Sequence, residues 1–209
     1  MVSPELANLY NIIKPKGEVM TIKKILVWAG TLSFLVVTGC ALMGATTKID
    51  AVLIAPEGCI GLSCELPEYR INFDPLTGAS QGIGFTIINN VQEPILILWD
   101  ESAMIDRHGS SLRVMHKGVR FSERDAPQAP SVVAPGTSLS DQAVPTSQIS
   151  YLPGSSGGFM TQPIFNPVTL KSLPGQTIGL YLMLKVGETK KPQRFNLKIE
   201  AVHQPQPPQ

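Results

Sequence analysis

Residues Gly82 to Trp99 read GIGFTIINNVQEPILILW, and this stretch decides the fold class. Gly82–Asn89 and Ile95–Trp99 are short apolar runs rich in isoleucine. Their length and β-branched content suit strands, not helices. Side chains alternate faces along a strand, so Phe85 and Ile87 point the same way, as do Ile95, Ile97 and Trp99. Between the runs, Asn90-Val91-Gln92-Glu93-Pro94 is polar, with proline at the start of the second run. A lost N–H is tolerated at that position. Two arrangements fit: a hairpin with a five-residue loop, or two strands linked between sheets. Gly82-Ile83-Gly84 lacks the third glycine and following helix of a nucleotide loop, so these are strand glycines.

Toward the C-terminus, Thr177–Val186 (TIGLYLMLKV) predicts a second strong strand with Leu180, Leu182 and Leu184 on one face. Residues 187–192 predict a turn. Beyond it Phe195, Leu197, Ile199 and Ala201 alternate with Asn196, Lys198 and Glu200, predicting a half-exposed strand that pairs with the one before. The tail, residues 203–209, ends in QPQPPQ and is expected to be extended or disordered. Toward the N-terminus, Tyr69, Ile71 and Phe73 alternate with Arg70 and Asn72, and Ala51–Ala55 is a short apolar run; both predict strands. Asp74 to Gly78 predicts a turn.

The middle of the chain is less clear. Asp106-Arg107-His108-Gly109 predicts a turn between Ala103–Ile105 and Leu112–His116. Residues 121–135 read as loop, punctuated by Pro127, Pro130 and Pro135, and Thr137–Val144 as an edge strand. Residues 150–167 carry Gly154-Ser155-Ser156-Gly157-Gly158, expected to be a flexible surface loop and not the strained turn of a serine nucleophile. Roughly seven to nine short strands with long loops predict an all-β fold, an antiparallel β-sandwich over residues 50–202. Its expected core holds Phe85, Ile87, Ile95, Ile97, Trp99, Leu180, Leu182, Leu184, Phe195 and Leu197. The order of an apolar strand, Asn-Asn, Gln-Glu-Pro and an apolar strand ending in Trp99-Asp100 resembles immunoglobulin-like domains of bacterial lipoproteins. The resemblance spans that one unit and implies a fold, not an activity.

Met20 to Cys40 reads MTIKKILVWAGTLSFLVVTGC. Lys23 and Lys24 precede an uncharged run, Ile25–Val37, of thirteen residues. As a helix it would rise about 20 Å, short of the roughly 30 Å of a bilayer core. Basic region, short apolar region and small-residue site follow in the order of an export signal. Val37-Thr38-Gly39-Cys40 resembles the bacterial lipobox. That family's pattern implies a diacylglyceryl group on the Cys40 thiol, cleavage of residues 1–39 and acylation of the new terminus. An uncleaved anchor or a buried helix is the alternative. Residues 40–49 would then be a tether from lipid to domain. Met20 makes a more conventional start than Met1, whose leader carries Glu5, Glu18 and two prolines. Ala41, where inner-membrane retention would use aspartate, implies outer-membrane delivery by resemblance to Gram-negative lipoproteins.

Without residues 1–39 the chain keeps 13 basic and 14 acidic residues, because four lysines and two glutamates precede Cys40. That balance offers no basic field to nucleic acid or to an anionic membrane, so lipid would supply the attachment. With Cys40 lipidated, Cys59 and Cys64 remain, either as a disulfide in an oxidising compartment or as two free thiols. No cofactor is expected beyond the lipid on Cys40. No metal signature is present: Asp100, Glu101, Asp106, His108 and His116 lack ligand spacing and read as a solvated rim. The leading expectation is a non-enzymatic envelope lipoprotein that binds the membrane through lipid and possesses a structural or protein-binding β domain. The alternatives are a metal-dependent enzyme using residues 100–116, favoured if those side chains converge, and a carrier of a small apolar ligand, favoured by a large cavity.

Overall fold

A computed structural model describes residues 47–153 and 157–204. The leader, the signal, Cys40, most of the tether and residues 205–209 lie outside the described residues, as do Gly154 to Ser156. In chain order the described strands are β1 (Lys48–Ala55), β2 (Ser63–Glu65), β3 (Tyr69–Phe73), β4 (Leu76–Thr77) and β5 (Ile83–Asn89). Then come β6 (Ile95–Ile97), β7 (Ala103–Ile105), β8 (Ser111–His116), β9 (Ser131–Val133) and β10 (Ser138–Pro145). The last are β11 (Ile149–Leu152), β12 (Gly158–Thr161), β13 (Thr177–Val186) and β14 (Thr189–His203). The only helical segments among the described residues are short 3-10 turns. The domain is therefore all-β, as its period-two patterns predict.

Twelve strands form one curled antiparallel sheet in the order β2-β3-β5-β10-β8-β7-β13-β14-β1-β4, with β6 and β9 attached beside β13. The curl has a definite hinge at β8. Its residues 111–113 pair with β7, while Val114, Met115 and His116 pair with β10. One strand thus passes from one half of the sheet to the other. The halves meet through aromatic rings. Phe195 of β14 stands edge-on to Phe73 of β3 at 5.2 Å between centroids. Phe73 meets Phe85 at 6.3 Å, and Phe85 meets Trp99 at 6.3 Å. All ten expected core residues, Trp99 and Phe195 among them, are fully buried.

β5 and β6 do not form a hairpin. β5 pairs with β3 and β10, while β6 pairs with β13 and β9. The link instead joins two distant parts of the one curled sheet. The buried Asn89 side chain holds the link: Nδ2 donates to the carbonyls of Glu93 (2.7 Å) and Val133 (3.0 Å), and Oδ1 accepts from the Val91 N–H at 2.9 Å. Asparagine closing its own following turn is a common device, and here it also ties that turn to β9.

Several local expectations change. Thr137–Val144 read as an edge, yet β10 lies inside the sheet between β5 and β8. Its polar residues are satisfied by neighbours, as where Ser140 Oγ meets Thr86 Oγ1 at 2.7 Å. Leu76 and Thr77, read as part of a turn, pair with Ile49 and Lys48 because Leu76 finds a buried place there. The turn expected over 187–192 is only Gly187-Glu188, since Val186 already faces Thr189. Gly187 sits at φ 55°, the left-handed first position that a two-residue hairpin loop of this hand requires. Residues 121–135 contain the short strand β9, and the β11–β12 pair, starting at Ile149, occupies part of the stretch 150–167, each missed for want of alternation. β1 begins at Lys48, inside the stretch expected to be tether.

Cys59 and Cys64 are joined by a disulfide with Cα atoms 4.2 Å apart. Cys64 is buried against the core, while Ile60 in the closed loop is 84% exposed. Gly61, at φ 59°, turns the loop tightly enough for its carbonyl to accept from the Leu53 N–H of β1 at 2.8 Å. The bridge thus closes a loop that the Gly61 carbonyl ties to β1.

Tyr69 is buried at the start of β3. Burial first, and the neighbouring Glu68 carboxylate second, push its phenol well above the ordinary 10.0. The folded chain therefore keeps this proton when the unfolded chain has lost it. The stability so gained is complete below pH 10.0 and is lost as pH rises further. The expected loss approaches about 1.4 kcal/mol per pH unit above that point. Chemical unfolding at a series of alkaline pH values should show a shallower decline for Tyr69→Phe than for the parent chain. Parallel curves would refute the assignment.

Candidate functional site

The expected rim between Asp100 and His116 does not converge. Asp100 closes a 3-10 turn after β6: one carboxylate oxygen accepts from Arg113 at 3.1 Å and the other from the Gln128 N–H at 3.0 Å. Glu101 pairs with Lys190 of β14. Asp106 caps its own turn, with Oδ1 accepting from the His108 and Ser110 N–H groups, both at 2.8 Å. His108 is exposed there and contacts Arg107. These groups are occupied with local backbone and with cations, as a solvated rim would be. Among the described residues no three of His, Cys, Asp and Glu lie together as a metal would require.

His116 departs from that pattern. It stands at the end of β8, and its ring stacks on the buried Trp99 indole at 4.9 Å and only 8° from parallel. Its Nδ1 lies 3.3 Å from Asp141 Oδ2, although without the alignment of a hydrogen bond. Asp141, on β10, has a side chain only 5% exposed. Its Oδ1 accepts from the N–H groups of Lys117 (3.0 Å) and Gln142 (2.8 Å). Ser131 of β9 accepts from Trp99 Nε1 at 2.8 Å and reaches Asp141 Oδ2 at 3.5 Å. The buried Gln128 completes the group: Nε2 donates to the Val114 carbonyl at 2.8 Å, and Oε1 accepts from the His116 N–H at 3.1 Å.

This polar cluster sits where β6, β8, β9 and β10 meet. Serine, aspartate and histidine are all present, but in the wrong order for nucleophilic catalysis. A base must lie between nucleophile and carboxylate. Here the carboxylate of Asp141 lies between Ser131 and His116, and the Ser131 hydroxyl is engaged with Trp99. What the arrangement does chemically is satisfy backbone donors beside the aromatic core, where an unmet N–H is costly. Ser131, Gln128 and Asp141 were not singled out from the sequence. Gln128 and Ser131 belong to the stretch entering β9 and Asp141 to β10, and no recognised motif links them.

No protein-family model, curated protein or solved structure matches this chain. A pocket of about 110 Å³ opens beside the Asp106 turn, lined by Met104, His108, Leu112, Phe165 and Ile178 among others. Small-molecule sites are commonly about 300–1,000 Å³, so this pocket gives the carrier reading little room.

Proposed function

We propose that the chain is an exported, lipid-anchored envelope protein whose β domain is a non-enzymatic structural or protein-binding module. The observation that carries this reading is the Cys59–Cys64 disulfide. Structural disulfides belong to oxidising compartments, and the export signal ending at Cys40 would deliver the domain to one. Pairing of these two thiols also leaves Cys40 as the odd cysteine, at the position where the lipobox resemblance puts diacylglycerol. We read the curled sheet as an immunoglobulin-like sandwich, supported by its two halves facing each other across the Phe195–Phe73–Phe85–Trp99 rings. The non-enzymatic part of the reading is supported by the scattered, locally satisfied carboxylates of residues 100–106 and by the order Ser131–Asp141–His116.

Growth of a producing bacterium with a clickable fatty acid tests the anchor. The parent protein is expected to carry the label and to sediment with membranes. Cys40→Ser should lose the label and either leave the membrane fraction or remain unprocessed. Label retained on the Cys40→Ser protein would overturn the assignment.

A further inference from the structure

β11 and β12 form a two-stranded sheet of their own, outside the curled sheet. Its base is held by Ile149, which packs with Met115 and Val144. Its outer part presents large apolar side chains to solvent: Tyr151 is 57% exposed, Leu152 52%, Phe159 38% and Met160 41%. Tyr151 and Phe159 face each other across the pair, edge to face at 5.3 Å. The Arg124 guanidinium lies 5.7 Å from the centre of the Phe159 ring. Single exposed apolar residues need no explanation, but a two-stranded ribbon with large apolar side chains on both faces does, Tyr151 and Phe159 on one and Leu152 and Met160 on the other. An isolated two-stranded unit gains little from pairing alone. Aromatic rings, flexible aliphatic chains and an arginine lying against a ring make the composition of a surface that meets the bilayer interface.

The place of this unit in the fold names the occupant. Thr47 marks where the tether enters the domain, and its carbonyl accepts from the Gly78 N–H at 2.8 Å. Two residues on, the Ser80 carbonyl accepts from Ile164 at 2.8 Å, and Gln81 Nε2 reaches the Thr161 carbonyl of β12 at 3.5 Å. Gly78 to Gln81 spans at most about 10 Å of chain, so the base of the β11–β12 unit lies close to the tether. Val168, 88% exposed, belongs to the same end, because Leu170 sits against Gly78. From Cys40 to Thr47 the chain reaches at most about 25 Å. A lipid on Cys40 would therefore hold the tether end of the domain within about 25 Å of the membrane, which brings the β11–β12 unit within reach of it.

The geometry points to the β11–β12 unit as a membrane-contacting element that seats the domain on the bilayer to which its tether is attached. This rests on the lipoprotein reading for the identity of the occupant. The contact adds a second attachment beside the lipid and sets the domain's orientation, which a tether alone does not.

The full chain is produced in bacteria with fatty-acid labelling, purified, and combined with phosphatidylethanolamine–phosphatidylglycerol vesicles containing brominated lipid. Tyr151→Trp places a fluorophore on the unit. Ile60→Trp places one in the disulfide loop, which adjoins Leu53, about 17 Å along β1 from the tether end. Emission is read as the difference from the unsubstituted protein, which removes the signal of Trp99 and, where the leader is retained, of Trp28. Brominated lipid is expected to quench most of the emission added at position 151 and to leave that at position 60 unchanged. A labelled protein with position 151 unquenched would overturn the membrane contact while leaving the anchor intact, and would assign the surface to a protein partner. An unlabelled protein with position 151 quenched would sink the anchor and sustain the contact. Equal quenching at both positions would also overturn the proposal, since it requires one end of the domain to face lipid.

Discussion

Phe195→Ala is expected to lower the unfolding free energy by about 3–5 kcal/mol, the usual cost of truncating a fully buried aromatic. Phe195 is fully buried on β14, between β13 and β1. Its ring meets Phe73 from the opposite half of the sheet. The cavity left by alanine would therefore lie between the two halves, where neither can close it without moving relative to the other. Against a domain stability of about 5–15 kcal/mol, that loss is a large fraction. Urea unfolding of the parent and variant measures it as a shift in midpoint at unchanged slope. Val132→Ala, on an exposed position of β9, should change stability by less than about 0.5 kcal/mol and serves as the comparison. A Phe195→Ala cost below about 1 kcal/mol would contradict the packing described here.

The second large effect is expected at Asp141. Asp141→Ala removes the acceptor for two backbone N–H groups, those of Lys117 and Gln142, and the nearest charge to His116. Leaving buried donors unmet beside a low-polarity core should cost about 3 kcal/mol. Asp141→Asn keeps an oxygen where Oδ1 stands, so it should cost only about 1 kcal/mol. The difference isolates the cause. If both substitutions cost the same large amount, the carboxylate's charge, and not its acceptance of N–H groups, would be what holds β10 to the loop after β8. If both were neutral, the cluster would contribute nothing to stability.

The two positions differ in how far they were legible. Phe195 announces itself: Phe195, Leu197 and Ile199 alternate with polar residues, and alternation reports directly which face of a strand is buried. The same logic identified Phe85, Ile87, Leu180, Leu182 and Leu184. Asp141 carries no such mark. It sits in Ser-Leu-Ser-Asp-Gln, a run polar enough to read as an edge, yet β10 is flanked on both sides. A polar residue in a strand looks exposed until its hydrogen-bond partners are known, and those partners are Lys117, Gln142 and Ser131.

The sequence by itself determined the all-β class, the ten core positions, the turn at Asp106 to Gly109 and the pairing of β13 with β14. Each follows from local period or from turn chemistry within a few residues. Tertiary structure alone decided that β5 and β6 belong to different parts of the sheet, and that β8 hands the chain from one half to the other. It also decided that Trp99, His116, Ser131 and Asp141 gather at one point. Strand pairing is made by backbone groups that every residue carries, so beyond strands joined by a short turn the side-chain pattern does not encode the partner. Only the closing of the aromatic core between distant strands selects it.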